Sequence, residues 1–241
     1  MFFTAALNNI PGCSTPQTCG NTIWYATSTD GTNWSGYTRV PIPATDSQSA
    51  GSLDGTQNIY PYAPSAVYDP QADGSVFKIF FSDYNDTSFV KMVTLDANRN
   101  LVNVASPSGP QPLFRLFSGT PAASNVQVIY NQYTGVWYMW YSNPQGVGSN
   151  GQPSYINIYE VKMVAKAYYN YPIFNVQGAP LIANSPAGGS SAVCGTNTPG
   201  VLLLDATHYE LFFSQIPNTT GDNNCYETEN RSIQMWSYTL N

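Results

Sequence analysis

Six acidic side chains stand in long polar segments where a carboxylate can meet a substrate: Asp54, Asp83, Asp86, Asp222, Glu227 and Glu229. Two such groups a few ångströms apart, one protonated and one ionised, are what general acid–base chemistry needs. Asp83 directly follows the apolar run that ends at Ser82, and Asp54 shortly precedes Tyr60 and Tyr62. These two are the expected catalytic carboxylates if the chain catalyses anything. Other chemistries are poorly supplied. His208 is the single histidine, which leaves no convincing Ser-His-Asp set and no histidine-rich metal site. Cys13, Cys19, Cys194 and Cys225 form no C-x-x-C pair, so no zinc centre is expected. No cofactor is expected. Asp222-Asn223-Asn224 with Glu227 offers oxygen ligands that can hold calcium, but without EF-hand spacing. Gly188-Gly189-Ser190-Ser191 lacks the lysine and the following helix of a phosphate loop.

A second constellation is uncharged. Tyr60, Tyr62, Tyr155 and Tyr226 fall in loops or at strand starts, near Asn125, Asn143 and Glu227. An aromatic ring can cover the apolar C–H face of a sugar while amides and carboxylates bond its hydroxyls. These seven residues are the expected substrate-binding set, with carbohydrate as the partner. The same tyrosines also suit a chain that simply replaces charge by neutral polar surface.

Composition sets the frame. The chain has 241 residues, 42% hydrophobic and 14% aromatic, enough to bury a large core. Only 9% are charged, against roughly 25% in an ordinary domain. With eight Lys plus Arg and a net charge of −6, the chain lacks the clustered cations that a nucleic acid or an anionic membrane surface needs. No apolar run reaches the roughly 18–20 residues of a membrane span, so no membrane insertion is expected. Four cysteines in polar loops and four N-x-S/T sequons suggest disulfides and an extracellular or cell-surface location. Because no leader precedes them, Met1 is not expected to be the biological start.

The elements that must position these residues repeat. Short apolar runs alternate with Gly, Pro, Asn and Asp turns, and the best helical stretch, 160–169, reads better as a strand. A strand–turn–strand unit occupies 63–84, and its second strand, Phe80-Phe81-Ser82, recurs as Trp140-Tyr141-Ser142 and Phe212-Phe213-Ser214. Phe2-Phe3-Thr4 is a clipped copy. A third strand follows each: Ile23–Ser28, then Val90-Lys91-Met92-Val93, Val161-Lys162-Met163-Val164 and Gln234-Met235-Trp236-Ser237. The spacing is 22 residues from Phe3 to Tyr25, from Tyr141 to Met163 and from Phe213 to Met235, but 11 from Phe81 to Met92. Fourth strands are expected at 37–42, 113–117 and 172–176. The expected fold is all-β, a single β-propeller domain over 1–241 built of four-stranded antiparallel meanders, with units near 1–45, 60–118, 122–177 and 190–241. The ring is incomplete or closed by its termini, since the first copy lacks its innermost strand and the last its outermost. Such open blades suit self-assembly with a neighbour. A β-sandwich is the competing architecture.

In such a meander the long second-to-third-strand loops and the crossovers share one end, which is the expected binding face. Cys194 and Cys225 fall at that end of one unit and are expected to pair, leaving Cys13 with Cys19. Asp69, Asp73, Asp205, Glu210 and His208 fall at the opposite end.

The segment PYAPSAVYDP…FKIFFSDY with its following strand resembles the five-bladed propeller glycoside hydrolases, the arabinanase- and xylosidase-type clan with its levansucrase and invertase relatives. Ser28-x-Asp30-Gly31-x-x-Trp34 resembles the Asp-box of sialidases and a matching turn in the five-bladed enzymes, which implies a structural role for Asp30. The resemblance implies carboxylates near the starts of innermost strands, serving as base or nucleophile, as general acid and as a pKa-tuning group. Here those strands start at Tyr62-Ala63-Pro64-Ser65, Ser124-Asn125-Val126 and Pro199-Gly200-Val201, without a carboxylate. Asn125 stands near the place of the general acid. The reading is therefore a glycan-recognising relative without intact catalytic carboxylates. An active glycoside hydrolase and a structural subunit of a fibre, virion or surface layer are the alternatives.

Overall fold

Strands form where apolar residues alternate and stop where Gly, Pro, Asn and Asp collect. A computed structural model describes residues 1–6, 21–43, 45–46, 57–70, 74–83, 89–102, 113–118, 123–145, 155–166, 172–174, 179–184, 193–217 and 231–240. All regular structure among them is β. Contacts divide the chain into two units, one built mainly on Met1–Leu116 and the other on Phe117–Ala165 with Pro172–Asn241.

The first unit opens with a three-stranded meander: β1 (Phe2–Ala6), β2 (Asn21–Thr27) and β3 (Ser35–Arg39). A two-stranded ladder, β4 (Thr45–Asp46) with β5 (Gln57–Asn58), follows. The second meander has four strands in chain order: β6 (Pro61–Tyr68), β7 (Phe77–Asp83), β8 (Phe89–Leu95) and β9 (Leu113–Ser118). Residues paired across an antiparallel ladder share a face. The pairs Phe2↔Tyr25 and Thr4↔Ile23 therefore put Phe2, Ile23 and Tyr25 on one side of the first meander. That side packs on Phe77, Ile79, Phe81, Val93 and Leu95 of the second, and the resulting core includes Val40 and Ile59.

The second unit repeats the arrangement. The third meander is β10 (Ser124–Asn131), β11 (Val136–Gln145), β12 (Tyr155–Lys166) and β13 (Pro172–Phe174). The fourth is β14 (Val193–Leu203), β15 (His208–Pro217) and β16 (Ser232–Thr239). One parallel bridge, Ile156↔Gly195, joins the two into a seven-stranded sheet. Tyr138, Trp140 and Ile158 of the third meander pack against Tyr209, Leu211 and Phe213 of the fourth. The buried Asn131 amide ties the β10–β11 turn to the carbonyl of Ala206 at 2.8 Å.

Each innermost strand carries the same irregularity. Register skips between Tyr62 and Ser65 in β6, between Ser124 and Gln127 in β10, and between Asn197 and Gly200 in β14. In each bulge the first extra residue is left-handed: Ala63 at φ 50°, Asn125 at 51° and Thr198 at 51°. A Cβ makes that region costly, and only Asn tolerates it well. Two of the three bulges meet a hydroxyl of the preceding meander. Ala63 N–H donates to Thr4 Oγ1 at 2.8 Å, and Thr198 N–H to Ser142 Oγ at 3.1 Å. Thr4 and Ser142 are equivalent positions, so the hydroxyl that ends the Phe-Phe-Ser type run serves as a latch between neighbours.

The register of β12 differs from the one that the spacing predicts. Trp140 pairs with Glu160, Phe80 with Met92 and Phe212 with Met235. Glu160, not Met163, is thus the counterpart of Met92 and Met235. The Val-Lys-Met-Val of 161–164 matches 90–93 in letters, but the sheet holds it three residues out of that register. The fourth strands lie close to expectation, at Ser35–Arg39, Leu113–Ser118 and Pro172–Phe174.

Candidate functional site

In the first unit the relevant place is the start of β6 beside the end of β7, where Pro61 pairs with Asp83. Asp83 is wholly buried, and its Oδ2 lies 2.5 Å from the equally buried Lys91 ammonium. Its Oδ1 accepts the Tyr60 N–H at 2.9 Å. A carboxylate with a compensating cation and an amide partner sits stably in low dielectric, and neither oxygen is offered to solvent. Asp83 therefore holds the chain as it enters β6 and leaves Tyr60 and Tyr62 half-buried beside it. The partner expected of it, Asp54, lies outside the described residues.

In the second unit the start of β10 and the bulge of β14 bring polar groups together. Asn125 donates from Nδ2 to Asn197 Oδ1 at 2.7 Å, and that oxygen also accepts Thr198 N–H at 2.8 Å. Thr198 Oγ1 lies 3.1 Å from Ser214 Oγ, which donates to the Asn197 carbonyl at 3.2 Å. Ser124 Oγ donates to the Ser142 carbonyl at 3.3 Å. Asn197 is buried, Asn125 half-buried and Thr198 exposed. Along the same sheet Asn184 joins Asn157 and Thr196: its N–H donates to Asn157 Oδ1 at 2.8 Å and its Nδ2 to Thr196 Oγ1 at 3.0 Å. Asn143 is fully buried. These are amides and hydroxyls throughout. They can orient donors and acceptors but cannot move a proton as an acid–base pair near neutrality. The Tyr155 side chain, Tyr226 and Glu227 lie outside the described residues, as do the side chain of Cys194 and all of Cys13, Cys19 and Cys225. The calcium-type ligands at 222–227 lie outside them too. Among the described residues no three His, Cys, Asp or Glu side chains gather as for a metal ion.

The carboxylate that the spacing argument passed over is Glu160. Trp140 Nε1 donates to its Oε2 at 3.1 Å, and the Tyr209 hydroxyl donates to the same oxygen. Burial raises its pKa, opposed by those two hydrogen bonds and by Lys162. Burial and the Glu160 charge hold Tyr209 far above the usual phenol range. Glu160 does not belong to the amide cluster. Tyr209 and Ser214 stand five residues apart on β15, about 17 Å at the ~3.4 Å rise of a strand.

The remaining acids with displaced ionisation organise turns. Asp30 accepts Thr32 N–H and Asn33 N–H, both at 2.8 Å, between β2 and β3, which keeps its carboxyl well below the usual range. Gly31 at φ 74° completes that turn. Asp205 accepts Thr207 and His208 N–H in the β14–β15 turn, which lowers its pKa to about 2. His208 and Asp205 thus stand at the end of the meander away from the amide cluster.

No protein-family model matches the chain, and no curated protein matches it. Among solved structures, a thermostable family-43 glycoside hydrolase matches with a TM-score of 0.52 at 16% identity, over 90% of this chain and 61% of that one. The chain has that enzyme's fold. A family-43 endo-arabinanase from Bacillus licheniformis matches at TM-score 0.46 and 17% identity, over 91% of this chain and 64% of its own. An α-L-arabinofuranosidase from Podospora anserina, in complex with cellotriose, matches at 0.48 and 12%, over 91% and 66%. The chain thus spans less than two thirds of the length of each of these structures.

Proposed function

We propose that this chain recognises neutral glycan at the amide and hydroxyl cluster of β10 and β14 and does not cleave it, as an extracellular relative of the propeller glycoside hydrolases. One observation carries the reading. In the second unit the start of β10 and the bulge of β14 present Ser124, Asn125, Asn197 and Thr198; in the first unit the start of β6 presents Tyr62, and the carboxylate beside it, Asp83, is buried against Lys91. Amides and hydroxyls offer sugar hydroxyls both donors and acceptors, and tyrosine rings offer a face for the C–H surface. Hydrolysis needs a proton donor and a second carboxylate on either side of the bond. A glycan array run beside a reducing-sugar assay tests the proposal. Binding to neutral oligosaccharides with no sugar release is the expected result. Sugar release lost in Asp54→Ala or Asp83→Ala would establish a hydrolase instead. Absence of binding to every glycan would overturn the reading.

A further inference from the structure

Each proton in the amide cluster has one assignable owner, and the assignment fixes what the cluster leaves for a ligand. The Thr198 backbone N–H can only donate, so the Asn197 atom that it meets at 2.8 Å is the side-chain oxygen. Asn125 meets the same oxygen at 2.7 Å and must turn its Nδ2 toward it. Two donors fill the lone pairs of Asn197 Oδ1, so Asn197 keeps only the two N–H groups of its Nδ2. Among the described residues none accepts from them, although Asn197 is only 4% exposed. Donors left over on so buried a side chain call for an oxygen from outside the protein. Asn125 keeps its own carbonyl oxygen and one N–H. The Ser214 hydroxyl gives its proton to the Asn197 carbonyl at 3.2 Å, so the 3.1 Å contact between Thr198 Oγ1 and Ser214 Oγ is closed by the Thr198 proton. Thr198 Oγ1 therefore retains lone pairs alone.

The bulge itself needs no hydroxyl. Ala63 makes the same turn at φ 50° that Thr198 makes at 51°. A β-branched residue is costlier there than alanine, asparagine or glycine. Thr198 is held in place by two acceptors for its N–H, Asn197 Oδ1 and Ser142 Oγ, and it stands exposed. Backbone strain that its surroundings over-determine is a mark of a working site. Resting on the glycan reading above, we propose that the cluster recognises a sugar by a fixed hydrogen-bond polarity: Asn197 only donates, Thr198 only accepts, and Asn125 does both. The ligand is then a sugar residue with one free hydroxyl that donates to Thr198 Oγ1 and a second oxygen that accepts from Asn197 Nδ2. That second oxygen needs no proton, so a hydroxyl, an ether or a ring oxygen serves there. A sugar capped at the first position is rejected.

Titration calorimetry at pH 7 with the best array sugar and its singly deoxyfluorinated derivatives tests this, because fluorine takes the place of a hydroxyl without a proton to donate. At one position fluorine should cost the natural chain at least about tenfold in affinity, the loss of one well-placed hydrogen bond. In Thr198→Val the same fluorine should cost nothing further, since the acceptor is already gone. Asn197→Asp keeps an oxygen for the Asn125 and Thr198 donors and replaces Nδ2 by an acceptor. The penalty of fluorine at a second position should then rise at least about tenfold, because a carboxylate needs the proton that fluorine lacks. Melting curves check that both variants fold. If fluorine costs the natural chain and Thr198→Val alike at every position, Thr198 accepts nothing from the ligand. If Asn197→Asp leaves every fluorine penalty unchanged, Asn197 donates nothing to it. Either result overturns the fixed polarity and leaves glycan recognition standing. A natural chain that binds no sugar overturns both.

Discussion

Glu160 accepts a hydrogen bond from the Tyr209 hydroxyl, so a residue of the third meander is anchored to a residue of the fourth 49 positions away. The carboxylate takes a place held by methionine in two other meanders, and Trp140 Nε1 supplies its second partner. A charge in an apolar position is tolerated because two donors meet it, but its ionised form remains the costlier one.

The sign of the resulting pH dependence follows from the raised pKa. Between the ordinary carboxylate range, about pH 4–4.5, and the higher folded value, the folded chain binds more protons than the unfolded one. Stability from this group is therefore fully present at the acid end and falls as pH rises through that window. Tyr138, Trp140, Tyr209 and Tyr238 face it from β11, β15 and β16, and Lys162 from its own strand, and none of the tyrosines ionises there. Melting temperatures from pH 4 to 8 should show this slope in the natural chain and a flatter one in Glu160→Gln. Equal slopes would remove Glu160 as its source.

Removing Lys91 takes the ammonium away from the buried Asp83 carboxyl group. Lys91→Met should cost about 3–5 kcal/mol in urea unfolding. Adding Asp83→Asn, which keeps an acceptor for Tyr60 N–H, should recover at least about 2 kcal/mol of that. A single Lys91→Met variant as stable as the natural chain would show that the pair holds nothing in place.

The latches and the left-handed residues separate by substitution. Thr4→Val keeps shape but removes the acceptor for Ala63 N–H and should cost about 1–2 kcal/mol. Ala63→Gly relieves the positive φ at some cost in backbone entropy, for a net gain of about 0.5–1 kcal/mol. Asn125→Gly should give less, because Asn already tolerates that region. Thermal unfolding of the three variants checks the order.

Asn125→Ala tests recognition, and it also costs stability because Ala tolerates that positive φ poorly. It removes one partner of the half-buried Asn125–Asn197 pair, so glycan affinity should fall about tenfold, the ~1.4 kcal/mol typical of one well-placed hydrogen bond. Titration calorimetry with the best array ligand reads this out, and unchanged affinity would move the binding site elsewhere.

Much of the scaffold is written locally. The Phe-Phe-Ser type runs and their flanking turns gave the strands, because a period of two and a glycine turn are short-range signals. The structural matches agree with the all-β reading drawn from them. Register is less local. Val161-Lys162-Met163-Val164 imitates 90–93 in letters, while the choice of Glu160 as the partner of Trp140 depends on Tyr209, which lies on another meander. The same holds for Asp83. Its position after a strand was visible, but its burial depends on Lys91 in the next strand and on the backbone of Tyr60. The bulges were hidden because Ala63 and Thr198 are residue types that ordinarily avoid positive φ, and no glycine marks them.

The lone bridge between Ile156 and Gly195 has a kinetic consequence. Backbone ladders run almost wholly within meanders, so the third and fourth are coupled chiefly through side chains: the aromatic core, the Glu160–Tyr209 bond and the Thr198–Ser142 latch. Each meander closes short loops of its own before any long-range contact forms, which favours folding as a sequence of hairpins. Amide exchange should then resolve them as separate cooperative openings, with the protection of β14 and β15 surviving the loosening of β10 and β11.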